Sequence, residues 1–156
     1  MVSAAHLHLV TVHLPVVLCP LALVLFLFAR LRHDTPAARI ARWLLVASAV
    51  VGVPAFFSGP PAFESMESEL AAVRDLVELH AVLGRAAFFG LVLLALTALQ
   101  TTLREMQEER VPGWLHGIVV VGTLLLSYVL AWTGHLGGAI RRPEIGEALS
   151  WLFPRW

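Results

Sequence analysis

The stretch LVTVHLPVVLCPLALVLFLFARL, residues 9–31, contains no acidic residue, and its single arginine, Arg30, comes near its end. A helix rises 1.5 Å per residue, so roughly 20 apolar residues cross about 30 Å of hydrocarbon. This stretch is therefore long enough to span a bilayer. Three further stretches share its character, at residues 38–58, 77–101 and 112–136. Together they predict an all-α fold, an integral membrane four-helix bundle.

The composition agrees with a bilayer as the surroundings of the chain. Of its 156 residues, 58% are hydrophobic, and the mean hydropathy is +0.79. The formal net charge is zero with no basic patch, so we expect no nucleic-acid partner. Cys19 is the only cysteine, which excludes an intrachain disulfide and cysteine-rich metal sites. We therefore treat residues 1–156 as a single transmembrane domain.

The segments between the spans carry helix signals of their own. Residues 64–77 place Met66, Leu70, Val73 and Val77 at helical spacing, which predicts an amphipathic helix leading into the third span. Asp34 or Thr35 is expected to cap the second helix. Prolines should kink or end the first two helices, at Pro15, Pro54, Pro60 and Pro61. Residues 137–156 are expected to form a short tail.

The arginines give a modest prediction of orientation. Six lie in or beside the turns after spans one and three: Arg30, Arg32, Arg39, Arg42, Arg104 and Arg110. Four lie on the opposite side: Arg74, Arg141, Arg142 and Arg155. By the positive-inside rule the first group faces the cytoplasm, so both termini are expected outside.

Five of the seven histidines fall at one membrane face when the spans alternate: His6, His8, His13, His80 and His135. Ionisable groups in membranes are costly and usually face the bundle interior, where they pair or bind something. Their convergence from three spans predicts a ligand site. The alternative is that each histidine is structural. His33 and His116 lie at the other face and are interpreted as a loop residue and an interfacial residue.

Small residues beside the histidines favour a flat ligand. Gly84 follows His80 by one helical turn, and His135 lies within TGHLGGAI, residues 133–140. A porphyrin with two axial imidazoles suits such surroundings, because helix bundles build cofactor sites from facing side chains. Arg85 is a candidate partner for a haem propionate. Close helix packing through small residues is the competing interpretation.

Three motifs resemble a family of small bacterial four-span membrane proteins of unknown function. They are HLHLVTVHLP with His8 and His13, ELHAVLGRAAF with His80, and AWTGHLGG with His135. In that family the first span opens H-P-x-x-V-H-F-P and the last ends in a Gly-Gly motif; here Leu9 and Leu14 replace the first proline and the phenylalanine. The resemblance covers roughly residues 6–140 and implies a location in the bacterial inner membrane. The chain is also similar in plan to membrane cytochromes b.

Three functional hypotheses follow. The first is a b-type haem subunit that passes electrons between a quinone pool and a partner at the outer face. Its candidate ligands to haem iron or another metal are His8, His13, His80 and His135. Other candidates around the cofactor are His6, Gly84, Arg85, Arg141 and Arg142. Tyr128 is the candidate to border a quinone pocket. The second is a non-catalytic anchor or assembly subunit of a larger redox complex. The third is metal or solute transport. The chain has no hydrolase or kinase motif. Whether it is an enzyme of another kind stays open.

Overall fold

The computed structural model describes residues 3–142 and 144, and this part of the chain consists of helices and turns without a strand. The four long helices are α1 (Ala4–Arg32), α2 (Thr35–Glu64), α4 (Arg74–Met106) and α5 (Gly113–Arg141). The short helix α3 (Glu67–Leu70) and a 3₁₀ turn (Ala71–Val73) join α2 to α4. Four helices are long and apolar enough to cross a membrane, the third including the segment from Glu67. The predicted all-α membrane four-helix bundle is confirmed.

Each long helix extends past the span predicted for it. Hydropathy detects only the apolar centre of a helix, whereas the helix continues into polar surroundings until a cap or turn ends it. The turn after α1 shows this: His33 has a left-handed φ of 55°, and the Asp34 carboxylate accepts a hydrogen bond from the Ala37 amide at 2.9 Å. Asp34 is thus the cap of α2. Residues 137–141, predicted as tail, continue α5, and most of the remaining tail lies outside the described residues.

The expectation that prolines would end the first two helices is wrong, and a kink at these prolines stays a prediction. Helix α1 is continuous through Pro15 and Pro20, so His13 lies in regular helix, and α2 runs through Pro54 and ends only at Glu64. A proline removes one backbone hydrogen bond, but a membrane helix that unwound would leave several more unsatisfied in an apolar medium. Continuing the helix is therefore less costly than ending it.

The predicted amphipathic helix over residues 64–77 is divided into shorter pieces. Its first residue ends α2, the four-residue helix α3 and the 3₁₀ turn follow, and Arg74 begins α4. Leu70 and Leu76 are its buried side chains, and Leu76 packs in a small cluster with Leu136 and Ala139 of α5. The segment therefore covers the end of the bundle at which α2 finishes and α4 starts.

The four long helices form a ring in which α1 packs on α2, α2 on α4, α4 on α5, and α5 on α1. Helices α1 and α4 lie on one diagonal of this ring. Small side chains without exposed surface line the contacts: Cys19, Ala22, Ala41 and Ala98. Lipid offers no hydrophobic drive for helices to associate, so small residues that allow close van der Waals contact carry much of the packing.

The bundle repeats itself. When α1 is aligned with α4 so that residue 8 matches residue 80, five buried positions of one helix fall on buried positions of the other. In α1 these are Pro15, Cys19, Ala22, Phe26 and Ala29, and in α4, in the same order, they are Ala87, Leu91, Leu94, Ala98 and Thr101. The shift that carries Thr35, the start of α2, onto Gly113, the start of α5, superposes the buried sets Ala41, Leu45, Ser48 and Ala49, and Val119, Thr123, Leu126 and Ser127. The first hairpin (α1–α2) and the second hairpin (α4–α5) thus share one pattern of buried positions.

We expect Ala41→Leu to destabilise the protein, because Ala41 is fully buried among the helices. Extra methylenes in a packed interior cost about 1–3 kcal/mol. The free energy of unfolding in mixed micelles measures this, with Ala47→Leu as the control, since Ala47 is exposed on the same helix. Equal stability of the two variants would contradict the packing described.

Candidate cofactor site

Two histidines meet inside the bundle, near the ends of the helices that carry the predicted ligand site. His8 comes from α1 and His80 from α4, the helices on one diagonal of the ring. Their ring centroids are 6.4 Å apart and the rings are nearly perpendicular, with an interplanar angle of 79°. Both side chains are partly buried. The first hairpin and the second hairpin thus supply one imidazole each to a shared place.

Each imidazole is held by a hydrogen bond to the backbone of its own hairpin. His8 Nδ1 lies 2.9 Å from the carbonyl oxygen of Ala55 in α2, and His80 Nδ1 lies 2.9 Å from that of Thr133 in α5. A carbonyl oxygen can only accept, so Nδ1 of each ring donates and carries the proton. In the neutral ring the lone pair is then on Nε2 of each histidine, the nitrogen that can bind a ligand.

A glycine lies under each ring, one helical turn after the carbonyl that holds it. A Cβ placed on Gly59 would lie 3.4 Å from Cε1 of His8, and a Cβ on Gly137 would lie 3.1 Å from Cε1 of His80. The separation at Gly137 is short for carbon atoms, whose optimal contact is about 3.5–4.0 Å, whereas the separation at Gly59 is close to ordinary contact. The rings can lie against α2 and α5 because those positions have no side chain.

The two half-sites are equivalent by the same shifts that relate the hairpins. His8, the Ala55 carbonyl and Gly59 correspond in order to His80, the Thr133 carbonyl and Gly137. One difference breaks the equivalence: the Ser58 hydroxyl lies 3.3 Å from His8 Nδ1, whereas the corresponding residue of α5 is Leu136. His8 therefore has a polar neighbour for which His80 has no counterpart.

The remaining predicted histidines occupy different surroundings. His135 is buried in α5, two residues after Thr133. His6 and His13 are exposed on the surface of α1 and do not join the pair. Helix geometry accounts for this, because His13 is five residues after His8 and points about 140° away from it. The structure thus brings together two of the five histidines, with His135 in the adjoining interior.

The other predicted residues lie around this end of the bundle. Arg85 is exposed on α4, and Gly84 packs on α5, where its Cβ position would be 3.7 Å from the Thr133 methyl group. Arg141 and Arg142 are exposed, and Arg141 lies 3.9 Å from the Glu69 carboxylate. Tyr128 is 45% exposed on the outside of α5, beside the Trp132 ring. None of these side chains is buried beside the histidine rings.

Within the described part of the chain, no three histidine, cysteine, aspartate or glutamate side chains come together as a metal-binding group. Zinc and similar ions take three or four protein ligands. Two imidazoles match the two axial positions that the four porphyrin nitrogens of a haem leave on its iron.

A second polar cluster, which the sequence did not predict, lies at the other end of the bundle. Arg42 is only 3% exposed; its Nε donates to the Thr102 hydroxyl at 2.9 Å, and its guanidinium pairs with the Glu105 carboxylate. His116 Nε2 lies 3.4 Å from the other oxygen of Glu105. This cluster joins α2 to α4 and α5, and so links the first hairpin to the second.

Sequence reasoning missed the partners of the histidines. Backbone carbonyls have no sequence signature, and Ser58 and Gly59 read as part of a proline-rich helix end. Gly137 was noted only as a neighbour of His135. An available signal was the repeat itself, since aligning residue 8 with residue 80 and residue 35 with residue 113 places Gly59 on Gly137.

We predict that His8 and His80 are both Nδ1–H tautomers at neutral pH and that Gly137→Ala disturbs only His80. The added methyl would push the ring away from α5 and weaken its bond to the Thr133 carbonyl. Nitrogen NMR of histidine-labelled protein distinguishes the tautomers, and His8→Gln and His80→Gln assign the signals. Gly84→Ala is the matched control, because its Cβ meets ordinary contact distances. An Nε2–H tautomer at either ring would contradict the assignment.

Comparison with known proteins adds one finding. The model of a family described as predicted membrane protein (DUF2231) matches residues 4–142, which include all four long helices and both members of the histidine pair. This match confirms the resemblance to a four-span membrane family of unknown function. Neither the curated proteins nor the solved structures include a match to the chain.

Proposed function

We propose that in this chain, which belongs to the DUF2231 family of predicted membrane proteins, His8 and His80 are the axial ligands of a b-type haem in a membrane electron-transfer subunit. The observation that supports this proposal most directly is that both imidazoles donate Nδ1–H to backbone carbonyls. Ligating histidines almost always place their second nitrogen on a carbonyl, carboxylate or water in this way, which fixes the tautomer and the ring orientation. Both Nε2 lone pairs are then prepared to bind iron.

The symmetry of the half-sites supports the same ligand. A porphyrin iron presents two equivalent axial positions on opposite faces of a flat ring. The two hairpins present one imidazole each, and each imidazole has its own carbonyl and glycine. When bound, haem supplies one-electron chemistry whose potential depends on its axial ligands and on the apolar surroundings. The residues of the chain hold the ligand nitrogens and exclude water.

Charged and polar residues around the pair have supporting roles in this proposal. The exposed Arg85, Arg141 and Arg142 are candidates to neutralise the two haem propionates. His135, buried in α5, is the candidate to replace an axial ligand or to serve a second haem. Ser58, which only the first hairpin has, would make the two axial bonds unequal through its contact with His8 Nδ1.

The arginine distribution supports an orientation and a place of action. We propose a bacterial inner-membrane protein with the arginine-rich turns in the cytoplasm, so that the histidine pair and both termini face the outside. Electrons would pass between the membrane quinone pool and a redox partner at the outer face. The apolar outer surface of the four helices is available for docking other membrane subunits as well as lipid.

A non-catalytic anchor or assembly subunit is the second candidate. The observation that favours it is that the two hydrogen bonds by themselves join α1 to α2 and α4 to α5. Interhelical bonds of this kind stabilise membrane bundles by about 0.6–2 kcal/mol. The two candidates differ in what Nε2 does, which a cofactor measurement decides.

We expect the protein, purified in detergent after expression with ample haem, to show a b-type reduced-minus-oxidised spectrum with one haem per chain by pyridine haemochrome assay. His8→Ala and His80→Ala should each lower haem content by about tenfold or more, because each removes an axial ligand. His13→Ala is the matched control, since His13 is exposed on the same helix as His8. A featureless spectrum, or equal loss in His13→Ala, would overturn the haem proposal and favour the anchor.

A ligand exchange tests the same pair without removing it. In His80→Met the thioether can replace the imidazole, and a Met/His axial pair has a higher reduction potential than two histidines. Redox titration of the α band should therefore show a higher midpoint potential in His80→Met than in wild type, and an unchanged midpoint potential in His135→Met. A raised potential in His135→Met alone would reassign the second ligand to His135.

A further inference from the structure

A cavity of about 310 Å³ lies at the end of the bundle opposite the histidine pair, with all four long helices in its wall. It is large enough for a small ring and within the lower range of ligand sites in proteins. Its apolar lining includes Phe26, Val119 and Val120, and its polar lining includes Arg42, Glu105 and His116.

The wall contains a buried charged side chain, Arg42, and burying a charge between membrane helices is energetically costly. Arg42 is nearly inaccessible and is held by Thr102 and Glu105. A buried ion pair contributes little stability compared with an apolar packing of the same volume. Ionisable residues inside membrane segments mark functional sites more often than structural ones. The Arg42–Glu105 pair therefore points to a ligand in the cavity it lines.

The charges of the wall select a neutral ligand. Two arginines, Arg30 and Arg42, are matched by two carboxylates, Asp34 and Glu105, and the imidazoles of His33 and His116 complete the polar lining. An anionic headgroup or phosphate would meet carboxylates without a surplus of cations. A neutral molecule with hydrogen-bonding oxygens would meet both donors and acceptors.

We infer that this cavity binds the headgroup ring of a membrane quinone. A quinone ring is flat and neutral, so it can lie on Phe26 and the valines, while its carbonyl oxygens accept hydrogen bonds from imidazole or guanidinium groups. Its reduced form carries hydroxyls that can donate to the Glu105 carboxylate or to a histidine nitrogen. The identity of the ring rests on the proposed redox function, whereas the cavity and its charges do not.

The inference concerns binding alone. Phe26 follows His8 on the same helix by 18 residues, about 27 Å along its axis at 1.5 Å per residue. No electron step between the two sites of one chain is included. The quinone site and the haem site can therefore be tested separately on one sample.

The test uses the full chain in nanodiscs of neutral phospholipid, titrated with a short-chain benzoquinone while tryptophan fluorescence is followed. We expect saturable quenching above the linear quenching caused by partitioning into lipid. Ala38→Phe should abolish the saturable part, because Ala38 lines the cavity and a phenyl group would fill it. Ala47→Phe, on the exposed face of α2, should leave it unchanged.

A second variant guards against misfolding. His116→Ala removes an exposed rim side chain and should weaken binding by about threefold to tenfold, the loss expected for one hydrogen bond. Haem content, measured on the same samples, should match wild type in every variant. Saturable binding unaffected by Ala38→Phe or displaced by inorganic phosphate would overturn the inference. A wild-type protein that binds quinone saturably but contains no haem would instead count against the histidine pair.

Discussion

The hydrogen bond from each imidazole Nδ1 to a backbone carbonyl is the interaction on which the arrangement of this bundle depends. A neutral imidazole buried without partners would cost a few kcal/mol in desolvation. Placing Nδ1 on a carbonyl of the neighbouring helix removes half of that cost and determines the tautomer. The other nitrogen is then available for a ligand because its partner position is the only polar valence left on the ring.

That interaction imposes the glycines. A ring that reaches a carbonyl of an adjacent helix lies against the surface of that helix one turn later, where a Cβ would touch the His8 ring at Gly59 and crowd the His80 ring at Gly137. Gly59 and Gly137 satisfy this requirement in α2 and α5. Glycine ordinarily weakens a helix by roughly 1 kcal/mol relative to alanine, so its presence at two equivalent positions is explained by the rings rather than by the helices.

The sequence predicted the helices well and the site only in part. Long apolar stretches indicate spans because backbone groups in lipid must be satisfied within the segment, and this constraint also explains why Pro15 and Pro60 failed to end helices as expected. Grouping of histidines at one end followed from alternation alone. Pairing His8 with His80, rather than with His13, depends on which helices share a diagonal, and packing between distant segments decides that.

The two ends of the bundle differ in how closely the corresponding residues of the two hairpins match. At the histidine end the hairpins present matching half-sites, which suits a ligand whose two faces are alike. At the arginine end the corresponding residues differ: Arg42 corresponds to Val120, and His33 corresponds to Glu105, so the first hairpin contributes a guanidinium and an imidazole where the second contributes a valine and a carboxylate. This complementarity joins the hairpins through a buried ion pair and shapes an uneven wall.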